Sequence, residues 1–249
     1  IATRAADNDA VVALVNLVFE IVEADQFTIG RIDVRGNDTT QERIIRRELS
    51  FFPEQLYNSV AVEESQRRLQ ETRLFSDVSI DPVGRDPKVR DALVTVREGD
   101  TGEFLAGVGV STNSGVLGNI SLTQRNFNLL NWPDSFKQFI RLQAFKGAGQ
   151  TFRMVAEPGL DMMRFRIEWF EPRLYDKRYS LGTKVFLWTR QRDEYDETRY
   201  GTVVSVGHRF PNRWYGEIAT RLEGVRLDDL DMPVAPEIFA DKGDHVLLG

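Results

Sequence analysis

The side chains best suited to acid–base or metal chemistry are scarce in this chain. His208 and His245 are its only histidines, and it contains no cysteine. A metal centre or a nucleophile–base pair needs several such groups converging on one point, and neither histidine has a second candidate ligand near it in sequence. Without cysteine there are no thiolate metal sites, disulfide frameworks or cysteine nucleophiles. The acidic runs at 193–197 and 228–231 hold enough carboxylates for calcium but lack the ligand spacing of a dedicated loop, so they read as solvated surface. Gly107-Val108-Gly109 and Gly147-Ala148-Gly149 hint at phosphate loops, but neither leads into a helix whose N-terminus would complete one. In a strand, paired glycines mark weak, deformable pairing instead. The expectation is a protein with no catalytic residues, no metal site and no cofactor.

Composition narrows the remaining classes. The chain has 249 residues, 41% hydrophobic and 28% charged, with a net charge of −6. That balance, with a pI near 5.2, argues against a nucleic-acid partner, which needs a basic face. No window approaches the ~20 consecutive apolar residues of a membrane helix. Membrane barrels stay open as a possibility, because their strands alternate lipid-facing and lumen-facing residues and keep mean hydropathy low. The chain begins at Ile1 and stops in an apolar run, Val246-Leu247-Leu248-Gly249, so both ends read as cut.

The elements fall into two halves with different periodicity. Residues 15–22 form a β-rich run without an upstream partner, read as the last strand of a preceding module occupying 1–25. A module over 26–100 follows. Its first strand, 27–35, ends at Gly36-Asn37-Asp38 and carries Ile32 and Val34 on one face, with Ile29 out of step. Thr39 and Glu42 have the spacing of a capping box. The predicted helix sets Ile44, Ile45 and Leu49 against Arg43, Arg46 and Arg47, with Pro53 closing it. A second helix opens at Asn58-Ser59 and runs to Leu74-Phe75. Strands at 77–80 and 92–97 complete the order strand, helix, helix, strand, strand.

From residue 101 onward the pattern is alternation with a period of two, broken by polar turns. Phe165, Ile167 and Trp169 share one face, and Arg164, Arg166 and Glu168 the other. Ile218 and Leu222 oppose Glu217, Arg221 and Glu223. Leu181, Val185 and Leu187 oppose Lys184, but Phe186 and Trp188 lie on the lysine's side. Alternation of this kind suits a soluble sandwich and a membrane barrel equally. Long polar stretches at 191–199 and 228–244, set against a short turn at 211–214, favour the barrel, whose turns are short on one side and long on the other. Seven strands are countable, with an eighth just starting.

Three segments then carry a family resemblance. Residues 68–78 (RLQETRLFSDV) resemble the end of a POTRA second helix and its entry into the next strand. Residues 108–115 (VGVSTNSG), followed by Gln124-Arg125-Asn126-Phe127, resemble the first barrel hairpin of BamA-type outer-membrane assembly proteins. Residues 170–175 (FEPRLY), then Tyr179-Ser180-Leu181-Gly182, resemble the turn between that family's fourth and fifth barrel strands. Two departures stand out. Arg73 occupies a helix-end position where the family usually has glycine, and the stretch 128–145 is longer than usual and is read as a short amphipathic helix at the periplasmic rim.

The resemblance implies an α+β POTRA module (β-α-α-β-β) followed by antiparallel transmembrane strands, over 101–249, of an incomplete barrel of about sixteen strands, within the range of such barrels. It implies a bacterial outer-membrane location, with the POTRA part in the periplasm. The implied function is assembly and insertion of β-barrel proteins, with unfolded outer-membrane clients, accessory assembly lipoproteins and outer-membrane lipid as partners. Val78, Ser79 and Ile80 are the candidate edge for a client or accessory strand, added through main-chain hydrogen bonds. Leu105, Gly107, Val108, Gly109 and Val110 are the candidate first strand of the barrel seam. Phe165, Ile167, Trp169, Ile218 and Leu222 are candidates for lipid contact, and Arg164, Arg166, Glu168 and Arg221 for the lumen. Two rivals stay open: a two-partner-secretion transporter of related build, and a soluble β-rich binding module.

Overall fold

A computed structural model describes residues 26–111, 115–131, 145–192, 195–210, 214–228 and 243–249. The expected strand at 15–22 and most of the expected helix within 128–145 lie outside the described residues. The first module has β1 (Thr28–Arg35), α1 (Glu42–Arg46), α2 (Ser59–Glu71), β2 (Phe75–Val83) and β3 (Val89–Glu98). Its sheet order is β1-β3-β2, with β1 parallel and β2 antiparallel to β3. This is the strand–helix–helix–strand–strand order expected from the sequence.

Hydrophobic burial holds the module together. Ile44 and Ile45 of α1 and Val62 and Leu69 of α2 close over Ile32, Val78, Ile80, Val94 and Val96 of the sheet in one core drawn wholly from this module. A bulge between Ile29 and Ile32 explains why Ile29 breaks the alternation yet is buried with Ile32. The Asn58 side chain accepts from the Val60 and Ala61 amides and caps α2. At its other end Arg73 adopts φ 57, the left-handed geometry usual for glycine at this place. The turn is kept despite the residue.

Helix α1 differs from expectation in two respects. No capping box forms: Gln41 is the N-cap residue, and its side chain accepts from Arg43 Nε and caps no helix amide. Glu98, at the end of β3, instead accepts from the Thr39 and Thr40 amides, at 3.1 and 2.5 Å. Glu42 is left to pair with Arg46 at 2.6 Å. A carboxylate delivered by the sheet makes charge-assisted bonds, stronger than those of a threonine hydroxyl. The helix also ends at Arg46, well before Pro53.

The second sheet has eight strands: β4 (Gly102–Ser111), β5 (Gly115–Phe127), β6 (Gln150–Glu157), β7 (Met162–Glu171), β8 (Tyr179–Gln191), β9 (Asp196–Arg209), β10 (Tyr215–Asp228) and β11 (Gly243–Leu248). They form an antiparallel meander in strict sequence order, with β4 and β11 at its two edges. Each of β7 to β10 has at least the ~9–11 residues that a tilted strand needs to cross a bilayer. Pairing of β9 begins at Asp196, so the long polar loop expected over 191–199 shrinks to the few residues between Gln191 and Asp196. The longest connection on the POTRA side is instead 128–149.

Register settles which residues share a face, because directly paired residues point the same way. Met154, Ile167, Val185 and Thr202 form one row across four strands, continued by Leu222. Phe165, paired with Ala156 and Leu187, lies in the next such row. Arg153, Glu168, Lys184, Val203 and Arg221 form a row on the opposite face. No second sheet covers the apolar face among the described residues, and Val108, Val110 and Ile218 are each at least 80% exposed.

Candidate functional site

Three places could engage another chain or a membrane: the free edge of the small sheet, the free edge of the large sheet, and the large sheet's two faces. At the small sheet, the outer side of β1 is occupied. Glu54 donates its amide to the Ile29 carbonyl, Ile29 donates to Gln55, and Tyr57 donates to Phe27. The outer side of β2 carries no strand, so Val78, Ser79 and Ile80 do lie on an open edge.

The polar groups of that edge follow from a proline. Pro82 pairs with Ala92 and has no amide to give, so its position faces outward in the β2–β3 ladder. Ile80 and Val78 share its parity, and Ser79 has the opposite one, facing β3. Gln66 Nε2, from α2, donates to the Val78 carbonyl at 2.7 Å, which fits that assignment. The side chains of Val78 and Ile80 are buried in the core. The Val78 carbonyl is already taken by Gln66, so a strand added at this edge would rely on the Val78 amide and the outward groups of Ile80.

At the large sheet, β4 pairs with β5 from Gly102↔Gln124 to Ser111↔Gly115 and has no neighbour on its other side. Val108 and Val110 lie on the apolar face, with Leu105, Gly107 and Gly109 on the opposite one. A Cβ at Gly107 or Gly109 would meet nothing within 4 Å. No close approach demands glycine there; the effect of the pair is to leave the strand with few side-chain contacts.

The predicted face assignments come together as two groups. Phe165, Ile167, Trp169, Ile218 and Leu222 all fall on the apolar face, and Arg164, Arg166, Glu168 and Arg221 on the charged one. On the charged face Glu168 meets Arg166 at 2.9 Å and Lys184 at 3.7 Å. Glu197 and Glu223 are buried, against Arg199 and Arg221 at 2.6 and 2.7 Å respectively. Phe186 and Trp188, which disturb the alternation of β8, belong to this network: Arg221 lies over Phe186 and Arg199 over Trp188. Gly201 makes this possible, since a Cβ there would come within 2.8 Å of the Phe186 ring.

The histidines form no site. His208 lies between Tyr179, tilted against it, and Phe210, met edge-on, with ring centroids 4.6 and 4.7 Å away, on the apolar face near the POTRA-side end of the sheet. Among the described residues no three metal-ligating side chains converge. Asp196 and Glu197 of the first acidic run lie in β9, and Asp228 ends β10. The rest of these acidic runs lies partly outside the described residues.

Sequence reading missed the joint between the two domains. The Gly147-Ala148-Gly149 turn presses on the POTRA module: Gly147, at φ 113, accepts the Gln41 amide through its carbonyl, and a Cβ there would sit 2.4 Å from the Thr39 oxygen. Asn126 Nδ2 donates to Thr40 Oγ1 at 2.8 Å, and its Oδ1 accepts the Gly149 amide at 2.9 Å, both bonds buried. Arg47, expected on the solvent side of α1, is 8% exposed in its side chain and faces Asp176 and Glu48. Burial lowers its pKa, and the nearby carboxylates oppose that shift. The glycine pair was the available signal, pointing to close backbone approach.

Comparison with known proteins follows the same two-part division. Residues 27–99 match the POTRA family, described as a surface antigen variable number repeat, and residues 145–245 match the Omp85 superfamily domain. Outer membrane protein assembly factor BamA of Nitratidesulfovibrio vulgaris is 26% identical over 242 residues, covering 94% of this chain and 27% of the relative. BamA of Neorickettsia risticii is 30% identical over 193 residues, covering 78% and 24%. The chain thus spans about a quarter of the length of these relatives. Among solved structures, Haemophilus ducreyi BamA lacking POTRA domains 1–3 matches with TM-score 0.65 at 19% identity, covering 89% of this chain and 42% of that one. CdiB from Acinetobacter baumannii matches with TM-score 0.53 at 13% identity, covering 84% and 40%.

Proposed function

Because the chain belongs to the BamA-type family of outer-membrane proteins, we propose that the protein containing it assembles and inserts β-barrel proteins in the bacterial outer membrane. The POTRA module works in the periplasm and the large sheet is the first half of a transmembrane barrel. The apolar face of that sheet meets lipid and the charged face lines the lumen. Unfolded outer-membrane proteins are the clients, and accessory lipoproteins bind on the periplasmic side. No covalent chemistry is required.

One observation carries this reading: directly after the POTRA module begins an antiparallel meander, in strict sequence order, with an apolar and a charged face. In hydrocarbon a strand cannot leave its backbone groups unpaired. The β4 edge offers a client strand those missing partners at the point where it enters the bilayer, which lowers the insertion barrier. The sparse side-chain contacts around Gly107 and Gly109 keep the seam with the barrel's last strand easy to open. The β2 edge acts earlier, holding extended client segments through Val78 and Ile80 regardless of their sequence.

Locking the seam tests the proposal. A disulfide between residue 107 and the last strand of the full-length protein is expected to stop client assembly, with recovery on reduction. The chain's lack of cysteine keeps the linkage unambiguous within it. Undiminished assembly by the oxidised protein removes the seam from the mechanism.

A further inference from the structure

We propose that Gln66 is a gate on the open edge of β2: its side-chain amide holds the Val78 carbonyl that an incoming extended polypeptide needs, and full pairing of a client strand requires that amide to leave. The proposal rests on the reading of β2 as a client edge and adds the residue that regulates it.

The edge has few groups to offer. Val78, Ile80 and Pro82 are the β2 residues whose main-chain groups point away from β3. Val78 and Ile80 each have an amide and a carbonyl there, while Pro82 has a carbonyl alone. In antiparallel pairing a residue exchanges both groups with the one opposite it, so of the three only Val78 and Ile80 can form complete pairs. Gln66 takes the carbonyl of the first, with Nε2 donating to it at 2.7 Å. Proline thus restricts the edge at one end and Gln66 at the other. The proline's restriction is permanent; the glutamine's is reversible.

A carboxamide is the side-chain equivalent of a peptide group, so Gln66 sits where a client's own N–H would bond. Its place on α2 lets it hold that seat and give it up. Val62, Ser65 and Leu69 turn into the core, whereas Gln66 is half-buried at the flank of the helix. Its side chain can therefore change rotamer into water without opening the core. An unguarded sheet edge pairs with any strand it meets, so a reversible guard keeps client contacts weak enough to be passed on. The worth of one intramolecular hydrogen bond, about twofold to tenfold in an equilibrium constant, sets the size of the effect.

The test uses the full-length protein with a photo-crosslinking residue in place of Asp81, which is exposed beside Ile80. The probe is a fluorescein-labelled, end-capped peptide of alternating valine and threonine, uncharged and suited to an extended backbone. Crosslinking yield at residue 81, titrated against peptide, reports binding at this edge rather than at any other. Gln66→Met keeps the length of the side chain without its donor, and Gln66→Glu keeps its shape without its donor. Both should tighten binding by about twofold to tenfold. Should either variant fail to fold, Gln66→Ala takes its place. The gate requires both shifts, since tightening by methionine alone is adhesion to an apolar side chain. Capture by the native protein with no tightening in the variants overturns the gate and leaves the β2 edge standing, as a merely structural Gln66 predicts. Capture by none of the forms removes the edge and the gate together.

Discussion

Glu98 shows how much one carboxylate organises here. It ends β3, holds the Thr39 and Thr40 amides, and so fixes the loop that leads into α1 and the joint. Burial works to raise its pKa, but the hydrogen bonds from Thr40 and Thr39 outweigh this and leave it below the ordinary glutamate value. A depressed folded-state pKa stabilises the fold above the unfolded value of about 4.3, and this contribution is lost as pH falls through the folded value. Glu98→Gln should therefore lower the stability of the POTRA module at neutral pH by about 1 kcal/mol, a figure reduced for its partial exposure. It should also flatten the acid limb of the stability curve below about pH 4.3. Thermal melts of both forms between neutral and acid pH decide it; parallel acid limbs would mean that Glu98 does not carry this proton linkage. Asp91 is depressed too, chiefly by the Arg31 amide, but it lies near the surface and adds little.

At the scale of elements, what the sequence made legible was local. The order of the POTRA elements, the Asn58 cap, the alternation of β7 and β10 and the eighth strand all follow from neighbours a few residues apart. The start of α1 was misread because Glu98, its true partner, comes from 58 residues away. The aromatics of β8 looked like noise because the cations that stack on them, Arg199 and Arg221, sit on the following two strands. The glycine turn at 147–149 was noticed but its use was not, since the surface it fits belongs to the other domain. That β2 ends its sheet follows from topology, while the parity of its amides needs the register. A proline at Ser79 would by that parity disturb the β2–β3 ladder more than the open edge. A photo-crosslinking residue at Asp81, which is exposed on this strand, is the cleaner probe. It should capture client segments in the full-length protein, and capture should drop when an extended competitor peptide is added. Failure to capture any client would remove β2 from the proposal.

For the whole molecule, the membrane assignment rests on register, because a one-residue slip in any strand exchanges its two faces. The four consecutive pairings from β6 to β10 largely keep charges on one face and apolar residues on the other, which independent slips would destroy. Two substitutions on neighbouring residues of β7 separate the faces. Ile167 is paired with Met154 and Val185, so Ile167→Arg places a cation among apolar side chains that the proposal puts in lipid. Near the bilayer midplane this costs about 2–4 kcal/mol. Arg164 lies on the other face, half-exposed beside Glu157 at 3.5 Å, and Arg164→Ala should cost no more than about 1 kcal/mol. Denaturant unfolding of the full-length protein in lipid bilayers measures both. Equal tolerance of the two changes would mean that the apolar face does not meet hydrocarbon, and the barrel would have to be sought on the opposite side of the sheet.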